Sequence, residues 1–175
     1  MNIFRLAGVA AGLGTGIILC VVLFRYGNKD KKIKTSYDER QEAIRGVAFK
    51  YAFYTILVYE MILMAAGVAG ITFPFPEYVV NFLGIMLGCT VLGVYCIWKD
   101  VFWGLNNNRK RYYVIYLLIL LLNLFPIIIA GRSGGMILNQ AQLLNIMVII
   151  MLTVLFVTMV LKSFVLRDHS GEDEV

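Results

Sequence analysis

The chain has little charge, one histidine and three cysteines in 175 residues: only 15% of its residues are Asp, Glu, Lys or Arg. A soluble domain is about 25% charged, so a water-facing surface of ordinary composition is excluded. The single histidine, His169, stands near the C-terminus, which excludes a histidine-based triad inside an apolar core. Cys20, Cys89 and Cys96 lie in apolar stretches and are not clustered as zinc ligands, so they read as small buried hydrophobes. There is no HExxH, GxSxG or phosphate-loop pattern, and glycine has no triplet period. These absences point to a protein that is not an enzyme and takes no cofactor or metal.

What is present is apolar. Hydrophobic residues make up 60% of the chain, and the mean hydropathy is +0.78. A helix crossing the hydrocarbon core of a membrane needs about 20 mainly apolar residues. Five stretches approach that length: 3–24, 49–71, 79–98, 112–130 and 143–165. They predict an all-α, polytopic bundle of five transmembrane helices, with 1–167 a single membrane domain and 168–175 an acidic, disordered tail. The first stretch is longer than the apolar part of a signal peptide and lacks a small-x-small site before its charged flank. It therefore reads as a retained span.

The basic residues set an orientation. Eight lie between Arg25 and Lys50, four more are Lys99, Arg109, Lys110 and Arg111, and two are Lys162 and Arg167; only Arg5 and Arg132 fall on the other side. The positive-inside rule then puts the N-terminus outside and the C-terminus in the cytoplasm. Tyr26, Tyr51, Tyr78, Trp98, Trp103, Tyr112 and Tyr113 mark span ends, where amphipathic rings favour the headgroup level.

Among the connections, the first inner loop is the richest. Lys29, Lys31, Lys32 and Lys34 form a basic run just beyond a span, of the kind that draws anionic headgroups. It has no interleaved aromatics that would suit nucleic acid. Ser36 and Glu39 have capping-box spacing. Tyr37, Gln41, Ile44, Ala48 and Tyr51 then recur every three or four residues. This predicts a short amphipathic helix on the inner face that either continues into the second span or bends at Gly46. Thr72–Glu77, with two prolines, predicts a stiff outer turn, Asn106-Asn107-Asn108 a polar inner turn, and Gly131–Gly135 a flexible outer loop.

Glu60 stands near the middle of the second span. A central charge costs about 2.5–3.5 kcal/mol on insertion scales, against about 0.3–0.6 returned by each Leu, Ile, Phe or Val. It is expected to be neutral, paired or facing water. One reading is a proton or cation site with Asn123 at similar depth and a kink at Pro126; the other is structural glue between helices. Gly8, Gly12 and Gly16, and again Ala66 and Gly70, have the small-xxx-small spacing that lets helices approach closely. Their partner is in the same chain or in another copy.

The segment Asp38-Glu39-Arg40-Gln41, followed by Ala43-Ile44-Arg45-Gly46 and a span, resembles a recurrent group of small bacterial multi-span membrane proteins. These carry a similar acidic-arginine-glutamine segment on an inner helix. The resemblance implies residence in the bacterial cytoplasmic membrane and transfers no functional residue. Together these features predict a non-enzymatic membrane component acting through helix packing and an inner-face docking surface around Asp38, Glu39, Arg40, Gln41 and Arg45. The expected partners are anionic lipid headgroups and either a second copy or another membrane protein. The alternative is a small proton- or cation-coupled transporter or channel subunit using Glu60.

Overall fold

A computed structural model describes residues 3–132 and 140–172. It holds five helices: α1 (Ile3–Gly27), α2 (Glu39–Val68), α3 (Glu77–Trp98), α4 (Arg109–Arg132) and α5 (Gln140–Glu172). The described residues contain no strand, only an isolated bridge between Asn28 and Asn107. All five helices are long and apolar enough to cross a membrane, and the protein is an all-α, multi-pass membrane protein.

The chain divides into two compact units: Met1–Asp38 with Trp103–Leu117, and Glu39–Phe102 with Leu118–Val175. In the second unit α3 packs on both α2 and α5. It is the most enclosed helix, with 28% of its apolar stretch buried, against 6% for α2 and 11% for α5. Glycine explains why. A Cβ at Gly84 would meet the Tyr59 ring at 2.5 Å, and one at Gly88 the Ile56 side chain at 2.6 Å. On another face of α3, one at Gly93 would meet Leu155 at 2.5 Å. In lipid, where no hydrophobic force drives helices together, such close approach supplies the van der Waals contact that holds them.

Both ends of this helical pair are closed by the same device. At the end of α2, Gly70 adopts φ +71°, the Gly70 amide donates to the Gly67 carbonyl and the Ile71 amide to Ala66. At the end of α3, Asp100 adopts φ +60°, its amide donates to Ile97 and that of Val101 to Cys96. These are Schellman terminations, which occupy carbonyls that the last helical turn leaves free. Val101 is then 1% exposed and packs with Ala48 and Cys96, flanked by Ile44, Leu92, Tyr95 and Phe102.

Several expectations change. Of the two courses expected at Gly46, α2 takes the continuous one and runs unbroken into the span, and the stripe of Ile44, Ala48 and Tyr51 faces α3: Tyr51 lies 5.4 Å from the Tyr95 ring. The periodicity is therefore that of a helix packed on a neighbour, and no separate short helix precedes the span. The capping box does not form, because the Ser36 amide donates to Asn106 Oδ1 at 2.9 Å and α2 begins only at Glu39. Gly70 ends α2 instead of extending a packing stripe with Ala66, and a Cβ there would meet nothing within 4 Å. α4 continues through Pro126. The backbone of the acidic tail is helical as far as Glu172. Of the outer loop at Gly131–Gly135, residues 133–135 lie outside the described residues.

Candidate functional site

Hydroxyl side chains in the spans are mostly satisfied locally. Thr55, Thr90, Thr153 and Thr158 each donate to the carbonyl four residues back on their own helix, which shields a polar group from lipid without any partner helix. Glu60 does not follow this pattern. Its carboxyl has no hydrogen bond or ion pair among the described residues; it stands beside Tyr59, whose hydroxyl donates to the Val80 carbonyl at 2.8 Å. Glu60 Oε1 faces Gly84, about one turn from the midpoint of α3 toward the Thr72 end. α2 itself ends at Val68 and not at Ile71, about two turns beyond Glu60.

From there Glu60 borders a cleft of about 470 Å³ that opens at the Thr72 end of the α2–α3 pair. Glu77, Asn81 and Thr72 supply its other polar groups, and Leu63, Met64 and Phe73 are among its apolar lining. Glu77 also lies in the first turn of α3, where the helix dipole favours a negative charge. Two carboxylates sharing one cleft can attract a cation or pass a proton to water. Asn123 takes no part. Its amide donates to the Ile119 carbonyl of its own helix at 2.8 Å.

The opposite end of α3 carries a second polar cluster, which sequence reasoning missed. Lys162 of α5 donates to the carbonyls of Ile97 at 2.7 Å and Trp98 at 2.9 Å, and pairs with Asp100. Its side chain is 12% exposed. A cation on the last carbonyls complements both the unpaired acceptors and the negative end of the helix dipole. From the other flank Arg45 donates to the Val101 carbonyl at 3.3 Å and lies over the Phe49 ring. Arg45 therefore helps to fix the core of this unit instead of standing free on a docking face. Glu39 and Arg40 are exposed.

In the first unit the basic loop is built and not merely attracted to a surface. Asn28, fully buried, donates to the Lys32 carbonyl at 2.7 Å and accepts the Tyr112 hydroxyl at 3.0 Å. Lys29 and Asn106 join through the backbone at 2.7 Å, Asn108 and Gly27 at 3.0 Å, and Leu105 and Ser36 at 2.8 Å. The Asn106 amide reaches both Asp30 oxygens and the Lys34 carbonyl. The Lys32 amide, foremost, and the Asn106 side chain hold the Asp30 carboxyl below its ordinary pKa. Trp103 stacks edge-on with Tyr112 and Tyr113, each at 5.7 Å. Lys29, Lys31, Lys32 and Lys34 are all exposed; Lys31 borders a recess with Arg25 and Arg111, and the other three project outward.

The predicted packing glycines of α1 meet no neighbour. A Cβ at Gly8, Gly12 or Gly16 would find nothing within 4 Å among the described residues. Gly84 and Gly88 of α3, with the same four-residue spacing equally visible in the sequence, are close-packed instead. Comparison with protein-family models, curated proteins and solved structures finds no match to this chain.

Proposed function

We propose that the protein is a non-enzymatic component of the bacterial cytoplasmic membrane, with its N-terminus outside and its C-terminus in the cytoplasm, that holds a charged docking surface at the inner face. The observation that carries this reading is the start of α2. Ile44, Ala48 and Arg45 fix this helix to α3 and the Val101 turn, while Glu39 and Arg40 one to two turns earlier stand free in solvent. A rigid root under exposed charges costs a partner little ordering entropy on binding. The excess of lysine and arginine in three segments supports the orientation, and the resemblance of the segment from Asp38 to Gly46 supports the membrane. The exposed lysines from Lys29 to Lys34 would draw anionic headgroups, and the open glycine face of α1 suits a second copy or another membrane protein.

The test is charge reversal. Glu39→Lys with Arg40→Glu is expected to abolish co-purification of a cytoplasmic partner while membrane insertion and melting behaviour are kept. Retention of every partner would end this reading.

A second reading has its own support in the cleft at Glu60 and Glu77: a cation- or proton-handling subunit. Glu60→Gln preserves shape and removes titration. Under this reading pH-driven flux into vesicles containing the purified protein disappears in the variant, whereas under the docking reading wild type and variant give the same background leak.

A further inference from the structure

The end of α1 carries a recess of about 380 Å³ lined by Arg25, Tyr26, Lys31 and Arg111. Three of its four residues are cations. Among the described residues no carboxylate pairs with any of them: Asp30, the acid nearest in sequence, is engaged by the Lys32 amide and by Asn106. Each arginine is oriented by one backbone carbonyl, Arg25 Nε by that of Lys31 at 3.3 Å and Arg111 Nη1 by that of Tyr26 at 3.2 Å. The Arg111 guanidinium also lies 5.4 Å from the Tyr26 ring centre. These contacts use one donor of each guanidinium, which has five, and the remaining N–H groups have no partner among the described residues.

The backbone at this recess is strained. Lys31 has φ +56°, a conformation uncommon for a residue with a side chain and most often seen where something over-determines it. Its own amide donates to Asn28 at 3.3 Å while its carbonyl meets Arg25. The asparagine-held loop thus keeps a third positive charge beside two others. Like charges gathered without a counter-ion are unfavourable unless an anion joins them.

We propose that Arg25, Lys31 and Arg111 form a stoichiometric site for one phosphate group, carried by an anionic glycerophospholipid. Position decides for a lipid over free phosphate. The recess lies at the end of a membrane-crossing helix, and Ile18, Leu19 and Val22 on the preceding turns are exposed and apolar. Acyl chains can run along them while the phosphodiester meets the guanidinium forks, which match its oxygens bidentately. This site deepens the headgroup attraction proposed above and rests on it, but it requires the pocket cations and not the outward lysines.

Native mass spectrometry of the full chain in neutral detergent, titrated with phosphatidylglycerol or phosphatidylcholine, tests it. Wild type is expected to bind one phosphatidylglycerol before any others, in preference to phosphatidylcholine. Arg25→Gln should weaken that first binding about fivefold, and Arg25→Gln with Arg111→Gln roughly 25-fold, at about 1 kcal/mol per lost charge. Because Arg111 also holds α1's end, Lys31→Gln serves as the variant that removes no protein contact, with the same expected fivefold loss. Neutralising Lys29, Lys32 and Lys34 together should leave the first lipid in place and weaken the later ones. If those later lipids are unaffected, the general attraction fails while the site stands. An unchanged first affinity in Arg25→Gln and Lys31→Gln overturns the site, as does equal binding of phosphatidylcholine. Emptying of the site by millimolar inorganic phosphate would overturn the assignment to a lipid.

Discussion

Two helices of this protein carry glycines four residues apart, and they use them in opposite ways. On α3, Gly84 and Gly88 are buried under Tyr59 and Ile56, so that α2 and α3 touch through the space a methyl group would fill. On α1, Gly8, Gly12 and Gly16 are exposed, with no atom of the described residues in reach of an added Cβ. The spacing is a permission and not an instruction. It lets a partner approach, and the partner must bring a flat or small face. α2 does so with Ala52 opposite Gly88 and Tyr59 laid over Gly84.

The largest effect that would break this contrast belongs to Gly88→Leu. Its new side chain would displace Ile56 and press on the Ala52 carbonyl. Overpacking of this kind should cost about 3 kcal/mol, read as a fall in melting temperature in detergent. A variant as stable as wild type would mean that α2 does not rest on α3 there.

Next comes Lys162→Met, which keeps the apolar stem and removes the charge from the Ile97 and Trp98 carbonyls. Its expected cost is about 2 kcal/mol, the upper range for a cation at a partly enclosed helix end. The Asp100 pairing should contribute little of this, since that carboxylate is 72% exposed. Asp100→Asn, melted alongside, should therefore lose clearly less than Lys162→Met; equal losses would move the weight from the helix end to the ion pair.

A smaller effect concerns the loop of the first unit. The Asp30 pKa is lowered in the folded protein, so its contribution is present above the unfolded pKa and fades as pH falls through the folded one. On acidification the Lys32 amide resonance should shift with the Asp30 titration, at a midpoint below that of an ordinary aspartate. In Asp30→Asn this shift should vanish.

Smallest of all is Gly12→Ala. With open space around it, the change should alter stability by at most about 1 kcal/mol, in the stabilising direction expected for alanine within a helix. A clear loss would show that another molecule fills this face in the membrane.

The five spans were legible in the sequence because lipid imposes one simple requirement, a long apolar run, and the runs are separated by charge or proline. Pairings between distant residues were not. Ser36 and Glu39 have good capping spacing, but Asn106, seventy positions on, takes the Ser36 amide, and no local pattern announces that. The three asparagines at 106–108 read as a polar turn, yet Asn106 fastens the lysine loop and the Asn108 amide closes on Gly27. Lys162 read only as one more positive charge, since capping another helix's carbonyls depends on α5 lying beside α3. Glu60 stood out in the sequence as an acid in an apolar run, but its cleft depends on where α2 stops.

The most direct test of the account is whether the chain crosses the membrane five times. In a cysteine-free background, Asn2→Cys and His169→Cys are labelled in intact cells with a membrane-impermeant maleimide. An odd number of crossings predicts that only one of the two reacts until the membrane is opened, and the orientation proposed above that it is the first. Reaction of both together, or of neither, would contradict it.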